Sequence, residues 1–275
     1  MLNHRVSRGA TGASSRSSSK TPSSVFKPLY LSALIAAFFA VPLYAANDIT
    51  VTTNELPGVA HGNSSDPNDS ILDNDADPNG NKLTIDSGGV VNNAYGALID
   101  NTSPTAMQDD DVTHNEVIIQ GTGRVEGTGA PGYGVAAGGR SNSAGGSGGG
   151  GEVSFNKATI TGGETVNIVG GWSDKGASLE NTVSVEGGTV SDEAYGGAAQ
   201  EGDASHNHAF VKGGSIANGV FGGSVRAATA TGAADSNDVT ITGGDIVGGI
   251  IYGGRNAGTG NANSNTVIIN ANNGP

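Results

Sequence analysis

The sequence predicts an all-β protein, a parallel β-helix or β-solenoid of degenerate repeats of about 25–40 residues. Three observations carry this prediction. Glycine supplies 47 of the 275 residues and aromatic side chains only 5%, which suits a thin fold whose repeats pack only on their neighbours. Apolar residues alternate with polar ones in short segments. A Gly-Gly pair follows most of these segments.

The clearest repeat begins at Asn181. Val183 and Val185 alternate with polar residues, and Gly187-Gly188 comes next. A second apolar segment ends in Tyr195-Gly196-Gly197, and a loop of variable length follows. Further copies start at Asn156, Asn207, Asn237 and Asn265, with looser ones at Asn81 and Asn115. Successive starts are 34, 41, 25, 26, 30 and 28 residues apart, and the copy at Asn265 is incomplete.

Each copy has a simple physical explanation. The alternating segment indicates a half-buried β-strand with one face inward. Gly-Gly indicates a turn that needs a positive φ or a close backbone approach. The segment ending in aromatic-Gly-Gly indicates a second strand and turn. One such unit cannot bury its own apolar face, so the copies should stack in parallel, each coil rising about 4.8 Å.

Two repeated residue types each allow two interpretations. The Asn that opens each copy could form an inward ladder of stacked amides, or it could be an exposed turn residue. The aromatic residue before the second Gly-Gly pair could form a carbohydrate-stacking surface, or it could pack a corner of the coil. These aromatic residues are Tyr95, Tyr195, Phe221 and Tyr252.

Residues 1–45 predict a signal peptide with a long basic N-terminal extension. Five basic residues precede the apolar run 29–43, which is about 15 residues long and short for a bilayer span. Cleavage is expected after Ala45, and an uncleaved membrane anchor is the alternative. Residues 46–150 are expected to form an irregular part with degenerate repeats, and residues 151–275 a regular solenoid that is incomplete at its C-terminus. The glycine run 145–151 is the expected linker.

Charge and cysteine content exclude several classes of function. The chain has no cysteine, which excludes disulfides and thiolate metal sites. After residue 28 there are 8 basic against 26 acidic side chains, a net formal charge of −18. Such a chain is not expected to bind nucleic acid or anionic lipid.

One segment is a candidate metal site. Asp73, Asp75 and Asp77 alternate in a predicted turn and could present oxygens to Ca²⁺. Pro78 and Thr84 occupy positions where an EF-hand needs glycine and a bidentate glutamate, so an acidic solvated loop is the alternative. No other cofactor is expected, and no residue stands in a catalytic or cofactor-binding motif.

The pattern N-x-V-x-I-x-G-G-x-V, then V-Y-G-G, then a Gly/Ala/Asn loop resembles repeats in autotransporter passenger domains (type V secretion). The resemblance covers residues 156–269, and 81–139 more loosely. It implies a secreted β-helix on the outer membrane or cell surface of a Gram-negative bacterium, or outside the cell, commonly adhesive and connected with virulence. It also implies Sec export through the leader and a C-terminal translocator barrel, which is expected downstream of this sequence or elsewhere.

The first functional expectation is an adhesin-like module without catalytic activity that binds surface glycans or proteins. The alternative is a polysaccharide lyase or hydrolase on a parallel β-helix. Such an enzyme needs acidic and basic residues together on one face, whereas the basic residues here are scattered over the copies. A truncated, non-functional fragment of a larger autotransporter is the third possibility.

Overall fold

The computed structural model describes residues 48–55, 58–62, 79–100, 111–127, 134–142 and 151–270. Within these ranges every regular element is a β-strand, and every strand pairing is parallel. The strands form four sheets, named A to D in the order in which a full coil visits them. The protein is therefore a parallel β-solenoid, which confirms the predicted fold class.

The long strands of each coil belong to sheets A and C. Sheet A contains β1 (Asp48–Val51), β3 (Lys82–Ile85), β7 (Glu116–Ile119), β11 (Lys157–Ile160), β15 (Thr182–Val185), β19 (His208–Val211), β22 (Asp238–Ile241) and β25 (Thr266–Ile269). Sheet C contains β2 (Val59–His61), β5 (Asn93–Asp100), β9 (Val135–Asn142), β13 (Asn167–Ser173), β17 (Glu193–Ala199), β21 (Gly219–Val225) and β24 (Ile250–Asn256).

Two-residue strands form the other two sheets. Sheet B contains β4 (Val90–Val91), β8 (Arg124–Val125), β12 (Glu164–Thr165), β16 (Thr189–Val190), β20 (Ser215–Ile216) and β23 (Asp245–Ile246). Sheet D contains β6 (Val112–Thr113), β10 (Val153–Ser154), β14 (Ser178–Leu179) and β18 (Ala204–Ser205). Each full coil thus has up to four strands, because part of the predicted loop forms sheet D.

The main core lies between sheets A, B and C. The two apolar positions of each sheet A strand point inward and stack in register, as Val183 on Ala209 and Val185 on Val211 show. Sheet B adds one inward residue per coil, such as Val190. Because every coil contributes the same positions, the interior is a continuous Val/Ile/Ala column, as predicted.

In the copies that start at Asn156, Asn181, Asn207 and Asn237, the first Gly-Gly pair turns the chain from sheet A to sheet B. Its second glycine has a positive φ at Gly163 (74°), Gly188 (72°), Gly214 (75°) and Gly244 (83°). Glycine adopts this conformation without a Cβ clash, which explains why these positions are glycine. The predicted turn is confirmed.

The second Gly-Gly pair is not a turn, and this part of the prediction is wrong. Strand β13 continues through Gly170 and Gly171, and both glycines allow a close approach to Asn181 and Thr182. A Cβ on Gly170 would lie 2.7 Å from the backbone N and O of Thr182 in sheet A. Beyond this constriction sheets C and D enclose a second, smaller apolar cluster, formed by Ala199, Ala204, Val225, Ala230 and Ala234.

The repeated asparagines form an inward ladder, which decides between the two interpretations. The backbone N–H and Nδ2 of Asn156 donate to Oδ1 of Asn181 (2.9 and 3.1 Å). Nδ2 of Asn181 donates to the carbonyl of Val153 in the preceding coil (2.8 Å) and to Oδ1 of Asn207 (3.2 Å). The same bonds link Asn81, Asn115, Asn156, Asn181, Asn207, Asn237 and Asn265.

The residue before each ladder asparagine makes the corner. Six of these residues are not glycine and still have a φ of 54–59°: His114, Phe155, Glu180, His206, Ser236 and Ser264. A left-handed conformation costs a non-glycine residue about 1–2 kcal/mol. The hydrogen bonds of the ladder offset this cost, because the left-handed corner directs the following asparagine into the ladder.

Strand β1 is a copy that the pattern search missed. Its residues pair in register with β3, so that Ile49 aligns with Leu83 and Val51 with Ile85. The signal was present in the sequence, since Asn47 precedes Ile49 and Val51 at the spacing of the other copies. The described strands before residue 151 belong to the same four sheets as those after it.

Candidate functional site

In the described part of the chain, five basic side chains pair with carboxylates, and every pair except Arg124 with Glu126 joins neighbouring coils. Lys157 contacts Glu116 at 3.0 Å, and Lys212 contacts Glu186 at 2.8 Å. The remaining pairs are Lys82 with Asp48, Lys175 with Glu201, and Arg124 with Glu126 and Glu164. These partly exposed pairs contribute little stability each, but their cross-coil placement favours the correct register.

An open groove of about 500 Å³ lies over the outer face of sheet B. Arg124 Nη2 is 2.7 Å from Glu126 Oε1, and Arg124 Nε is 3.3 Å from Glu164 Oε2. Thr189 and Ser191 continue the polar wall in the later coil. Because both carboxylates share one guanidinium, the groove presents a polar surface with one net negative charge.

Three of the four repeated aromatic residues, Tyr195, Phe221 and Tyr252, form a column on the outer face of sheet C. Ala137 and Val169 separate Tyr95 from this column. The rings of Tyr195 and Phe221 stack 4.8 Å apart at 15°, and those of Phe221 and Tyr252 are 5.8 Å apart at 13°. Tyr195 is 0% exposed and Phe221 2% exposed, whereas Tyr252 is 51% exposed. Burial leaves no continuous carbohydrate-stacking surface, and the rings pack on a sheet face instead of at a corner.

The phenol of Tyr195 lies in an apolar environment with one polar partner. Its hydroxyl donates to the carboxylate of Glu193, two residues earlier on the same strand. Burial is the largest cause that raises the pKa of Tyr195, and the guanidinium of Arg226 opposes it. The hydroxyl therefore stays protonated and acts as a fixed hydrogen-bond donor.

Three arginines lie over the rings of this face. Arg140 is 5.0 Å from the Trp172 ring centre and Arg226 is 4.9 Å from it, while Arg255 is 5.5 Å from the ring centre of Phe221. Trp172 Nε1 donates to Asp174 Oδ1 at 2.9 Å, which fixes the indole. Arg140, Trp172, Arg226 and Arg255 are called the arginine–tryptophan cluster below.

The sequence contains a signal for this cluster that the sequence-based prediction did not include. Arg140, Trp172 and Arg255 each come directly after a second Gly-Gly pair, and therefore share one register position on sheet C. The basic residues looked scattered because Arg226 follows the end of β21, two residues beyond that position.

The corner residues form a second exposed line along the solenoid. The rings of His114 and Phe155 stack 5.2 Å apart, and Phe155 remains 50% exposed. His208 in sheet A pairs with Asp238 of the next coil. His114 and His208 therefore make contacts within the solenoid surface.

The predicted calcium ligands Asp73, Asp75 and Asp77 lie outside the described residues. Within the described ranges no three His, Asp or Glu side chains come together as a metal site. The leader 1–45 also lies outside the described ranges. In the part of the chain that is described, no helix has the length and apolar character needed to cross a membrane.

Fold and surface together define the class of the protein, a parallel β-solenoid with an asparagine ladder and an arginine–tryptophan cluster on one side. No model of a protein family matches the chain. No curated protein and no solved structure shows significant similarity to it.

Proposed function

We propose that the protein is an exported, adhesin-like module that binds other surfaces through the long sides of its solenoid. The observation that carries this proposal is the arginine–tryptophan cluster, where charged and aromatic side chains face outward in a chain whose other described cations pair with carboxylates. Arg and Trp are the residues most often found at binding hot spots.

The leader supports export, and the repeat pattern supports an autotransporter-like passenger on the surface of a Gram-negative bacterium. Sec components would recognise the leader, and a translocator barrel would supply passage through the outer membrane. An uninterrupted asparagine ladder fits this role, since a chain that crosses membranes unfolded can rebuild the solenoid one coil at a time.

Two measurements test the proposal. A reporter enzyme fused after Ala45 should reach the periplasm, and a variant with charged residues inside the run 29–43 should not. Purified, fluorescently labelled chain should bind epithelial or bacterial cells saturably. Binding no stronger than that of an unrelated acidic protein of equal size would contradict the adhesive function.

The groove on sheet B favours a polysaccharide-degrading enzyme as a second candidate. It places the carboxylates of Glu126 and Glu164 beside Arg124 in an open channel. An enzyme would release reducing ends from polygalacturonate or a related polymer, and Glu164→Gln would abolish the release. If no reducing ends are released from any of a panel of polysaccharides, the enzyme hypothesis is rejected and only the adhesin hypothesis remains.

A further inference from the structure

We propose that the arginine–tryptophan cluster binds acidic glycans, polysaccharides that carry carboxylate or sulfate groups. This inference rests on the proposed function and names the ligand class for the same face. Arg140, Arg226 and Arg255 have no carboxylate within ion-pair distance among the described residues. The other five basic side chains of the solenoid all pair with acids.

The arginines are held in place before any ligand arrives. Trp172 lies between Arg140 of the preceding coil and Arg226, whose strand β21 is two coils further on. Stacking on an aromatic face restrains a guanidinium while leaving N–H groups at its edge able to donate. Arg140 Nη1 also donates to the hydroxyl of Tyr95 at 3.3 Å, which restrains this side chain further. Less side-chain entropy is then lost when an anion binds.

The arrangement suits a linear ligand. From β9, which carries Arg140, to β24, which carries Arg255, sheet C advances by four strands, or about 19 Å along the axis at about 4.8 Å per strand. Arg140, Trp172 and Arg226 are half-buried, and Arg255 is exposed. An extended polymer lying along the axis can therefore contact all three arginines.

The charge of the rest of the molecule selects against other anions. A bulky acidic protein would face the net charge of −18 of residues 28–275, whereas a thin polymer contacts the cluster alone. Single-stranded nucleic acids need exposed aromatic faces for base stacking. Here guanidinium groups cover Trp172, and Tyr195 and Phe221 are buried.

Trp172 is the single tryptophan of the chain, so its fluorescence reports directly on the cluster. Titration at low ionic strength should change this fluorescence with heparin, with polygalacturonate, or with both, and not with neutral dextran. The two polymers distinguish sulfate from carboxylate recognition. Arg140→Gln with Arg226→Gln should weaken binding about tenfold or more for each arginine removed.

The matched control is Lys157→Gln with Lys212→Gln, which removes the same charge from sheet A and should change affinity less than about twofold. Equal losses in both double variants would overturn the proposal in favour of diffuse electrostatics. Circular dichroism checks the fold, and Arg255→Gln, at an exposed position, should still weaken binding if the double variant misfolds.

Other outcomes separate this inference from the function on which it rests. Equal affinity for a single-stranded DNA oligonucleotide would overturn the glycan assignment. Binding to cells without binding to either acidic polymer would overturn this inference and leave the adhesive function. Binding to the polymers without binding to cells would support this inference and contradict the adhesive function.

Discussion

At the scale of single residues, the ladder asparagines link each coil to the next by buried hydrogen bonds. Asn181 is 0% exposed; its amide oxygen accepts two hydrogen bonds, and its Nδ2 donates to the carbonyl of Val153, to Ser178 Oγ and to Asn207 Oδ1. Both lone pairs of the oxygen and both hydrogens of Nδ2 are therefore engaged, one hydrogen being shared between two acceptors. The sequence suggested this ladder but could not choose it over an exposed turn, because both use asparagine.

Replacement of Asn181 by Ala should destabilise the solenoid by about 3 kcal/mol or more, because several buried polar groups lose their partners. Urea unfolding followed by circular dichroism measures the loss. Asn181→Asp should be at least as harmful, since it keeps the acceptor but puts a charge beside the carbonyl of Val153. Asn218→Ala, at an exposed hydrogen bond, is the control and should cost under about 1 kcal/mol.

At the left-handed corner residues, a substitution is expected to stabilise the protein instead of destabilising it. Glu180→Asn should stabilise the protein by up to about 1 kcal/mol, because asparagine tolerates a positive φ better than glutamate. The midpoint of urea unfolding should rise. Thr182→Asn in strand β15 is the control and should lower it, and a fall for Glu180→Asn would mean that the corner is not strained.

At the scale of elements, the constriction between sheets C and A depends on glycine. A Cβ on Gly139 would lie 2.6 Å from Asn156 Cγ, whereas a Cβ on Gly249 would have no atom within 4 Å. Gly139→Ala should therefore cost about 3 kcal/mol or more. Gly249→Ala should cost about 1 kcal/mol, from its positive φ alone. Equal losses in thermal unfolding would contradict the close approach.

The turns after β15 and β19 should respond to acid. The hydrogen bond from Lys212 is the largest cause that lowers the pKa of Glu186 from its ordinary value of 4.5, and Ser184 adds to it. A lowered folded-state pKa stabilises the protein above 4.5, and the contribution is lost as pH falls through the folded value.

Glu186→Gln should therefore reduce the urea midpoint at neutral pH and leave it nearly unchanged well below pH 4.5. The effect is small because the carboxylate is partly exposed. An equal difference between the two proteins at both pH values would show that the ion pair contributes nothing.

The sequence predicted a strand or turn correctly where the residue pattern is compatible with only one kind of local structure. The alternation at Val183 and Val185 predicted sheet A, and Gly187-Gly188 predicted the turn. The second Gly-Gly pair was wrongly predicted to be a turn, because glycine is equally suited to a turn and to a close approach between backbones. Sheet D was missed because two-residue strands such as Ser178–Leu179 are too short for any periodicity.

The candidate site was less predictable than the fold. Asp73, Asp75 and Asp77 were the predicted metal ligands, and the structure describes none of them. The arginine–tryptophan cluster depends on which strands become neighbours, and Arg226 reaches Trp172 from a strand two coils away. A contact between residues of different coils depends on the register in which the coils stack, and the sequence of a single repeat does not reveal that register.

At the scale of the whole molecule, the two ends of the described solenoid differ. Val51 in β1 is 4% exposed, whereas Ile269 in β25 is 56% exposed and Tyr252 51%. Strand β25 pairs with β22 on one side, and no described strand lies on the other. An apolar strand edge of this kind can pair with another chain.

The purified chain should therefore self-associate through β25. Light scattering over a hundredfold concentration range should show growth in mass, and Val267→Lys should reduce it, because an edge lysine opposes strand pairing. Thr189→Lys, at an exposed position of β16 in the middle of the solenoid, is the control and should change little. A monomer at every concentration would mean that this edge is covered.

The ladder also gives the solenoid a direction. Every amide oxygen accepts from the coil before it, and every ladder backbone N–H donates to the coil after it. At Asn265 the described chain leaves the backbone N–H and one Nδ2 hydrogen without an acceptor. Two such ends placed face to face would oppose donor to donor, so a closed twofold dimer through this end is disfavoured. If chains join so that the ladder continues from one to the next, they associate head to tail. This type of association does not close on itself, so it leads to open filaments.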